Sequence, residues 1–196
     1  MSGFIDWITD AVLWMCFGVR ELAVAVVSMV PIVELKGGIP VGVRLGLGYW
    51  QSFLWAAVGS SLICVPLLLL LPFLFKVPFL RRVETLFREK AEKVSPKLKY
   101  LGAFLFVAIP LPGTGVWTGC IVAVILGLRF APAMLTIIAG NLVSGLAVVG
   151  LTAALGPVGV DWLLFGLLIV FVLLAAVFFY KVFRQKEIVN DSKTTN

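Results

Sequence analysis

Glu34, Lys36 and Arg44 lie in the stretch Pro31-Ile-Val-Glu-Leu-Lys-Gly-Gly-Ile-Pro40-Val-Gly-Val-Arg44, with apolar sequence on both sides. A carboxylate beside two cations can do two kinds of chemistry. The acid can hold a cation or carry a proton, since burial disfavours its ionised form and a neighbouring cation restores it. The cations can hold a phosphate or carboxylate, Arg44 through its bidentate fork and Lys36 as a point charge. Gly37 and Gly38 would let backbone N–H groups approach such a ligand, and a half-helix starting near Pro40 would aim its positive dipole end at the same place. The bland readings are an internal Glu34–Lys36 ion pair and an Arg44 that snorkels to the nearer interface.

A second stretch, Pro110-Leu-Pro-Gly-Thr-Gly-Val-Trp-Thr-Gly119, carries no charge but offers two hydroxyls and an indole N–H. Its candidate contacts are Pro112, Gly113, Thr114, Gly115, Trp117 and Thr118. They equally read as groups that satisfy backbone freed by Pro110 and Pro112. Asn141 is a further candidate for contact with one of these stretches, although Gly140 and Ser144 beside it form a small-xxx-small pair of the helix-packing kind. The chain has no histidine, and Cys16, Cys64 and Cys120 lie far apart in apolar surroundings. His-based catalysis, haem and the common zinc sites are excluded, and the cysteines read as small hydrophobes. No nucleophile–base pair is visible, so no enzyme, cofactor or metal site is expected.

Composition says what surrounds these residues. The chain has 196 residues, 61% hydrophobic and 13% charged, with a mean hydropathy of +1.11. Soluble domains carry about 25% charge, so this is read as a polytopic membrane protein with one small bundle. Asp6 and Asp10 stand where a signal peptide would be positive, and no cleaved signal is expected. With Trp7 and Trp14 on the other face, they suit a helix lying in the interface. Much of the net charge of +6 comes from residues 76–99, where Lys76, Arg81, Arg82, Arg88, Lys90, Lys93, Lys97 and Lys99 face Glu84, Glu89 and Glu92. In a membrane protein this segment reads as a cytoplasmic amphipathic surface element meeting anionic lipid headgroups, not nucleic acid.

Lengths then define the elements that must position the charges. A full span needs about 20 apolar residues. Trp50–Phe75, with Pro66 and Pro72 as kinks, Phe130–Leu155 and Trp162–Phe183 all qualify, and Gly156-Pro157 reads as a turn. Leu22–Val33 with Val41–Gly48, and Tyr100–Ile109 with Val116–Leu128, are half-membrane lengths. They read as two re-entrant hairpins with irregular tips at Glu34–Pro40 and Pro110–Gly115. The expected fold class is therefore all-α and polytopic, a single membrane domain over 1–183. Repeat one covers about 20–75, the basic segment 76–99, repeat two about 100–155 and an additional C-terminal transmembrane helix 162–183. Residues 184–196 read as a polar, disordered tail.

The halves repeat. A shift of 81 positions puts Pro31 on Pro112, Gly38 on Gly119, Val43 on Val124 and Leu45-Gly46-Leu47 on Leu126-Gly127-Leu128, then Tyr49 on Phe130, Leu54 on Leu135 and Gly59 on Gly140. Matching interrupted segments are the sequence pointer to a transporter site. Charge makes the repeats inverted. The basic segment, Arg129 and the C-terminus with Lys181, Arg184 and Lys186 are expected in the cytoplasm, and Asp6, Asp10, Glu21 and Asp161 opposite.

On the two Pro/Gly stretches quoted above, the chain resembles the small multi-drug export protein family, itself distantly similar to the DedA (VTT-domain) membrane proteins. The resemblance spans nearly all of residues 20–182. It implies paired re-entrant hairpins, an inner-membrane location and transport. The family name implies drug export, and the DedA likeness implies movement of phosphorylated lipids such as undecaprenyl phosphate. The first-hairpin acid of DedA proteins falls on Glu34, but their second-hairpin arginine has no counterpart, unless Lys36 or Arg44 takes over its work. The expected function is thus an integral, ion-coupled transporter with a midplane site between the tips. It would move a charged amphiphile, drug-like or lipid phosphate, on a proton or sodium gradient. The alternative is a passive lipid scramblase or non-catalytic scaffold. A homodimer is expected, because three full spans are few to enclose a cavity.

Overall fold

The computed structural model describes residues 11–31, 33–76, 94–111 and 113–194. Side chains beyond Val160 are described only at scattered positions. The expected N-terminal interface helix around Asp6, Trp7 and Asp10, most of the basic segment (77–93) and Pro112 lie outside the described residues.

Every named element is helical: α1 (Arg20–Met29), α2 (Glu34–Arg44), α3 (Tyr49–Leu74), α4 (Pro96–Ala108), α5 (Val116–Ile125) and α6 (Phe130–Thr194). Proline sets the breaks. The residue before a proline avoids the helical region, and Val30 and Ile109, each followed by proline, are extended at ψ 132° and 124°. Pro96 opens α4 at its first turn, where its missing N–H costs nothing. One expectation needs correcting. Glu34–Pro40 is not irregular: the break falls at 30–33, and α2 runs from Glu34 straight through Pro40. Pro40 is tolerated because one lost N–H seven residues into a packed helix is a local defect, whereas Pro31 comes before any helix has started.

After α2 and α5 the chain turns in the same way. Gly46 and Gly127 adopt φ of +84° and +65°, a region open to glycine at no steric cost. Leu47 N–H donates to Gly42 C=O at 3.0 Å, and Leu128 N–H to Ala123 C=O at 2.9 Å, the six-to-one bond of a Schellman motif. The next long helix starts at Tyr49 in one half and Phe130 in the other, 81 positions apart. The described structure therefore repeats as short helix, short helix, long helix. Gly156 breaks α6 with φ +73°, ψ 164°, where a turn is expected, but the helix continues to Thr194. Of the tail read as disordered, 184–196, residues through Thr194 continue α6 as helix, and 195–196 lie outside the described residues. Its Arg, Gln, Lys and Glu are good helix formers, able to propagate an existing helix.

Within the first pair α1 and α2 run antiparallel, since Gly38 lies against Ser28 and Gly42 against Val24. α3 and α6 pass through both cores. One core joins Val24, Leu35, Ile39, Phe53 and Ala56 to Val148; the other joins Cys64 and Leu67 to Val107, Val116, Cys120 and Ile137. Two helical segments, Tyr49–Leu74 and Phe130–Val160, are long and apolar enough to cross a membrane. Only 28% and 39% of their apolar windows are buried. A soluble core helix would be covered. Here Leu54, Val58, Leu62, Leu69 and Phe73 line an exposed apolar stripe on α3, as a lipid-facing helix needs.

Equivalent glycines seat each short helix on its long one. A Cβ on Gly59 would come within 2.8 Å of Ala25 Cα and closer still to its carbonyl, and one on Gly140 within 2.8 Å of the Phe104 carbonyl oxygen. Backbone cannot retreat as a side chain can. Gly59→Ala is expected to cost about 2–3 kcal/mol through forced separation of α1 and α3. Gly150→Ala, with nothing within 4 Å, should stay within about 0.5 kcal/mol. Unfolding of the two purified variants in detergent measures the contrast.

Candidate functional site

The site grows from what helix breaks leave behind. A helix ends with N–H and C=O groups that have no intrahelical partner, and in lipid each such group costs several kcal/mol unless protein satisfies it. The breaks at 30–33 and 109–115 leave such groups at the tips of both hairpins. The structure brings the tips together, and each supplies what the other lacks.

Glu34 and Lys36 are buried, 4% and 3% exposed. Glu34 Oε1 accepts the Trp117 N–H at 3.1 Å, in the first turn of α5. The residue before that helix, Gly115, has no side chain to cap it, so a carboxylate from the other half does so and meets the positive end of the helix dipole. Lys36 Nζ donates to the carbonyls of Leu111 and Thr114, both at 2.7 Å, and to Thr114 Oγ1 at 3.1 Å. An ammonium has three donors, and all three are directed into the second tip. In return Trp117 Nε1 donates to the Met29 carbonyl at 3.0 Å, an orphan acceptor at the end of α1. Within the second tip, Thr114 Oγ1 lies 2.8 Å from the Ile109 and Leu111 carbonyls. Thr118 Oγ1 donates to Gly113 C=O at 2.7 Å and accepts Gly115 N–H at 3.1 Å. Gly113 makes the turn at φ +84°.

Two features mark Glu34 as constrained. Its φ is +46°, a left-handed conformation that costs a non-glycine residue roughly 1–2 kcal/mol. Such strain persists only where surroundings over-determine it, and it clusters at functional sites. Its carboxylate also occupies the space that a Cβ on Gly115 would need. Gly115 is the residue 81 positions on from Glu34, as Trp117 is from Lys36 and Asn141 from Ser60. Asn141 Nδ2 donates to Ser60 Oγ at 2.8 Å. Glu34 with Gly115, and Ser60 with Asn141, thus meet across the two halves, and at the first pair there is room for one large side chain and not two.

The expected site residues divide accordingly. Glu34, Lys36, Thr114, Gly115 and Trp117 converge, with Gly113 and Thr118 shaping the turn beneath them. Arg44 ends α2, a rise of about 12 Å from Lys36 along the helix. A Cβ on Gly38 would sit 3.1 Å from the Ala56 side chain and 3.2 Å from Ser28 Cβ, and one on Gly37 would meet the Val33 side chain. Both glycines therefore serve packing. Asn141 bonds across to α3, leaving its Oδ1, with Ser144 Oγ and Ser52 Oγ, buried and without a partner among the described residues. The cysteines, expected far apart, include a pair: Cys64 Sγ and Cys120 Sγ are 3.6 Å from each other. Reading the residues alone missed Ser60 and the Met29 and Leu111 carbonyls. The offset that aligns the halves pairs Ser60 with Asn141 and could have found it; backbone acceptors carry no sequence signal.

A family model described as "Putative small multi-drug export protein" matches residues 34–147, from Glu34 into α6. That is more than half of the 196 residues, and the chain belongs to this family. No curated protein matches the chain, and no solved structure does.

Lys36→Met should bare the Thr114 carbonyl, at about 1–3 kcal/mol, and leave the Leu111 carbonyl to Thr114 alone. Gly115→Ala should destabilise by driving out the Glu34 carboxylate. Adding Glu34→Ala to it should recover much of that loss, since the clash is relieved. Chemical unfolding of the three variants in detergent reads both effects.

Proposed function

We propose that this member of the small multi-drug export family is an ion-coupled membrane transporter that exports a cationic amphiphile through a midplane site between two re-entrant hairpins. Several observations support the arrangement. α1, α2, α4 and α5 have 10, 11, 13 and 10 residues, or about 15–20 Å, half a bilayer's hydrocarbon core. The halves recur at one offset, and their tips meet. In this reading they are inverted repeats entering from opposite faces of the inner membrane, with the basic segment and the C-terminus cytoplasmic.

One observation carries the choice of substrate charge. The Lys36 ammonium has all three donors engaged by the second tip, while Glu34 is held at the Trp117 N–H, a helix end that a bound cation can replace. Opening the tips would release the carboxylate, and a cation would meet it. An ion of the coupling gradient would occupy Glu34 on the return. Separating the tips strips both hairpins of their partners, so opening without a substrate is costly. That cost couples movement to occupancy. The saturated Lys36 also favours a second reading, a structural lock in a passive lipid scramblase of the kind the DedA likeness implies.

Reconstituted protein should move a cationic dye under an imposed proton or sodium gradient. Glu34→Gln should lower that flux at least tenfold, and folded Lys36→Gln should lower it far less. The opposite ranking with labelled lipid phosphate would favour an anionic substrate. Lipid redistribution indifferent to gradients and to Glu34→Gln would establish the passive reading.

A further inference from the structure

The contact between α3 and α6 is polar in one half and apolar in the other. The two helices run antiparallel, since Ser60 bonds Asn141 and Phe53 lies against Gly145. Toward the start of α3 its buried residues include Ser52 and Ser60, and those of α6 include Asn141, Ser144 and Thr152, all 0% exposed. Beyond Ser60 the interior continues with Cys64, Leu67, Ala133 and Ile137. The internal repeat shows that packing does not require the polar set. At the offset of 81 positions Ser52 corresponds to Ala133, Ser144 to Ile63 and Thr152 to Leu71, while Ser60 and Asn141 correspond to each other.

Part of this set is left over. Ser60 and Thr152 turn their hydroxyls back to the carbonyls of Ala56 and Val148, four residues earlier, the usual way a helix absorbs a hydroxyl. Ser52 Oγ, Ser144 Oγ and Asn141 Oδ1 are buried with no partner among the described residues, a desolvation cost from which the fold alone gains nothing. Asn141 and Ser144 are one turn apart on α6 and share a face. Glu34 lies at the same level. A Cβ on Gly42 would meet Ser52 and one on Gly38 would meet Ala56, so the next turn of α2 brings Glu34 level with Ser60. Leu35, beside it, lies against Gly145, the neighbour of Ser144.

We propose that Ser60 Oγ, Asn141 Oδ1 and Ser144 Oγ, with the Glu34 carboxylate supplying the charge, hold a sodium ion, the ion whose gradient drives export. Hydroxyl, amide and carboxylate oxygens are hard donors, suited to a hard cation. One carboxylate balances one positive charge, and a divalent ion would leave charge uncompensated in an apolar interior. Lys36 is turned to the Leu111 and Thr114 carbonyls, whose partial negative charge offsets it. Close packing around Gly145, where an added Cβ would crowd Leu35 and Phe53, favours sodium over the larger potassium. Ser60, Asn141 and Ser144 do not titrate, so they ligate an ion and do not relay a proton. The inference rests on the transport reading for its purpose: sodium and a cationic substrate would compete for one carboxylate, which makes their movements an exchange.

The test is thermal unfolding of the full chain in detergent, in sodium, potassium or choline chloride at one ionic strength. Sodium at about a hundredfold excess over its Kd should raise Tm by about 5 °C or more, and potassium or choline much less. Asn141→Leu and Ser144→Ala should each abolish the sodium-specific rise. Ser144→Ala removes an unpartnered hydroxyl, so without sodium it should unfold no earlier than the unaltered chain, which separates loss of the ion from loss of the fold. Thr152→Val, about 12 Å along α6 from Ser144, should keep the rise. No sodium-specific rise in the unaltered chain, or a full rise in Ser144→Ala, would overturn the site. Dye flux on a proton gradient with no sodium rise would overturn it and leave the transport reading standing. A sodium rise with no dye flux under any gradient would uphold the site and remove that reading.

Discussion

Ending a helix in a buried place leaves backbone groups that only other protein groups can satisfy. This chain ends two such helices, and the ends answer each other. A carboxylate from one tip caps a helix of the other, an ammonium takes up the carbonyls freed beside two prolines, and an indole returns a bond to the last carbonyl of α1. Charge that would be costly alone becomes the means of satisfying backbone. Neither tip is satisfied without the other.

The same interlock explains why the two halves differ where they are most alike in position. At the centre Glu34 faces Gly115, because its carboxylate fills the space a second side chain would need. Lys36 corresponds to Trp117, and each sends a side-chain N–H into the other tip. One half contributes charge, the other glycine and an indole.

Much of this was legible in the residues. Pro31 and Pro110 marked the breaks, the Leu-Gly-Leu triplets marked matching turns, and of the three apolar runs read as spans, the first matches α3 to one residue at each end and the second shares the start of α6. The helical start at Glu34 was not legible, since Gly37, Gly38 and Pro40 argue locally against helix while packing against Ser28 and Ala56 argues for it. Glu34, Lys36, Thr114 and Trp117 were visible as candidates, but not that they bind one another. Side-chain to carbonyl bonds between segments about 80 residues apart leave no local pattern. The Cys64–Cys120 contact was hidden for the same reason, and the helical continuation past Arg184 was masked by its polarity.

Most directly at stake is whether the two tips meet at Glu34 and Gly115. Cysteines introduced at these positions, in a chain whose native cysteines are replaced, should join under mild oxidation in native membranes, and peptide mass spectrometry should find the linked pair within one molecule. A Cβ separation suited to a disulfide is what a carboxylate lying on the Gly115 Cβ position implies. Efficient linkage between positions 34 and 115, with none between position 34 and a cysteine at position 101 on α4, is the expected result. Two free thiols at 34 and 115 that label independently, in protein that folds and inserts, would contradict the account.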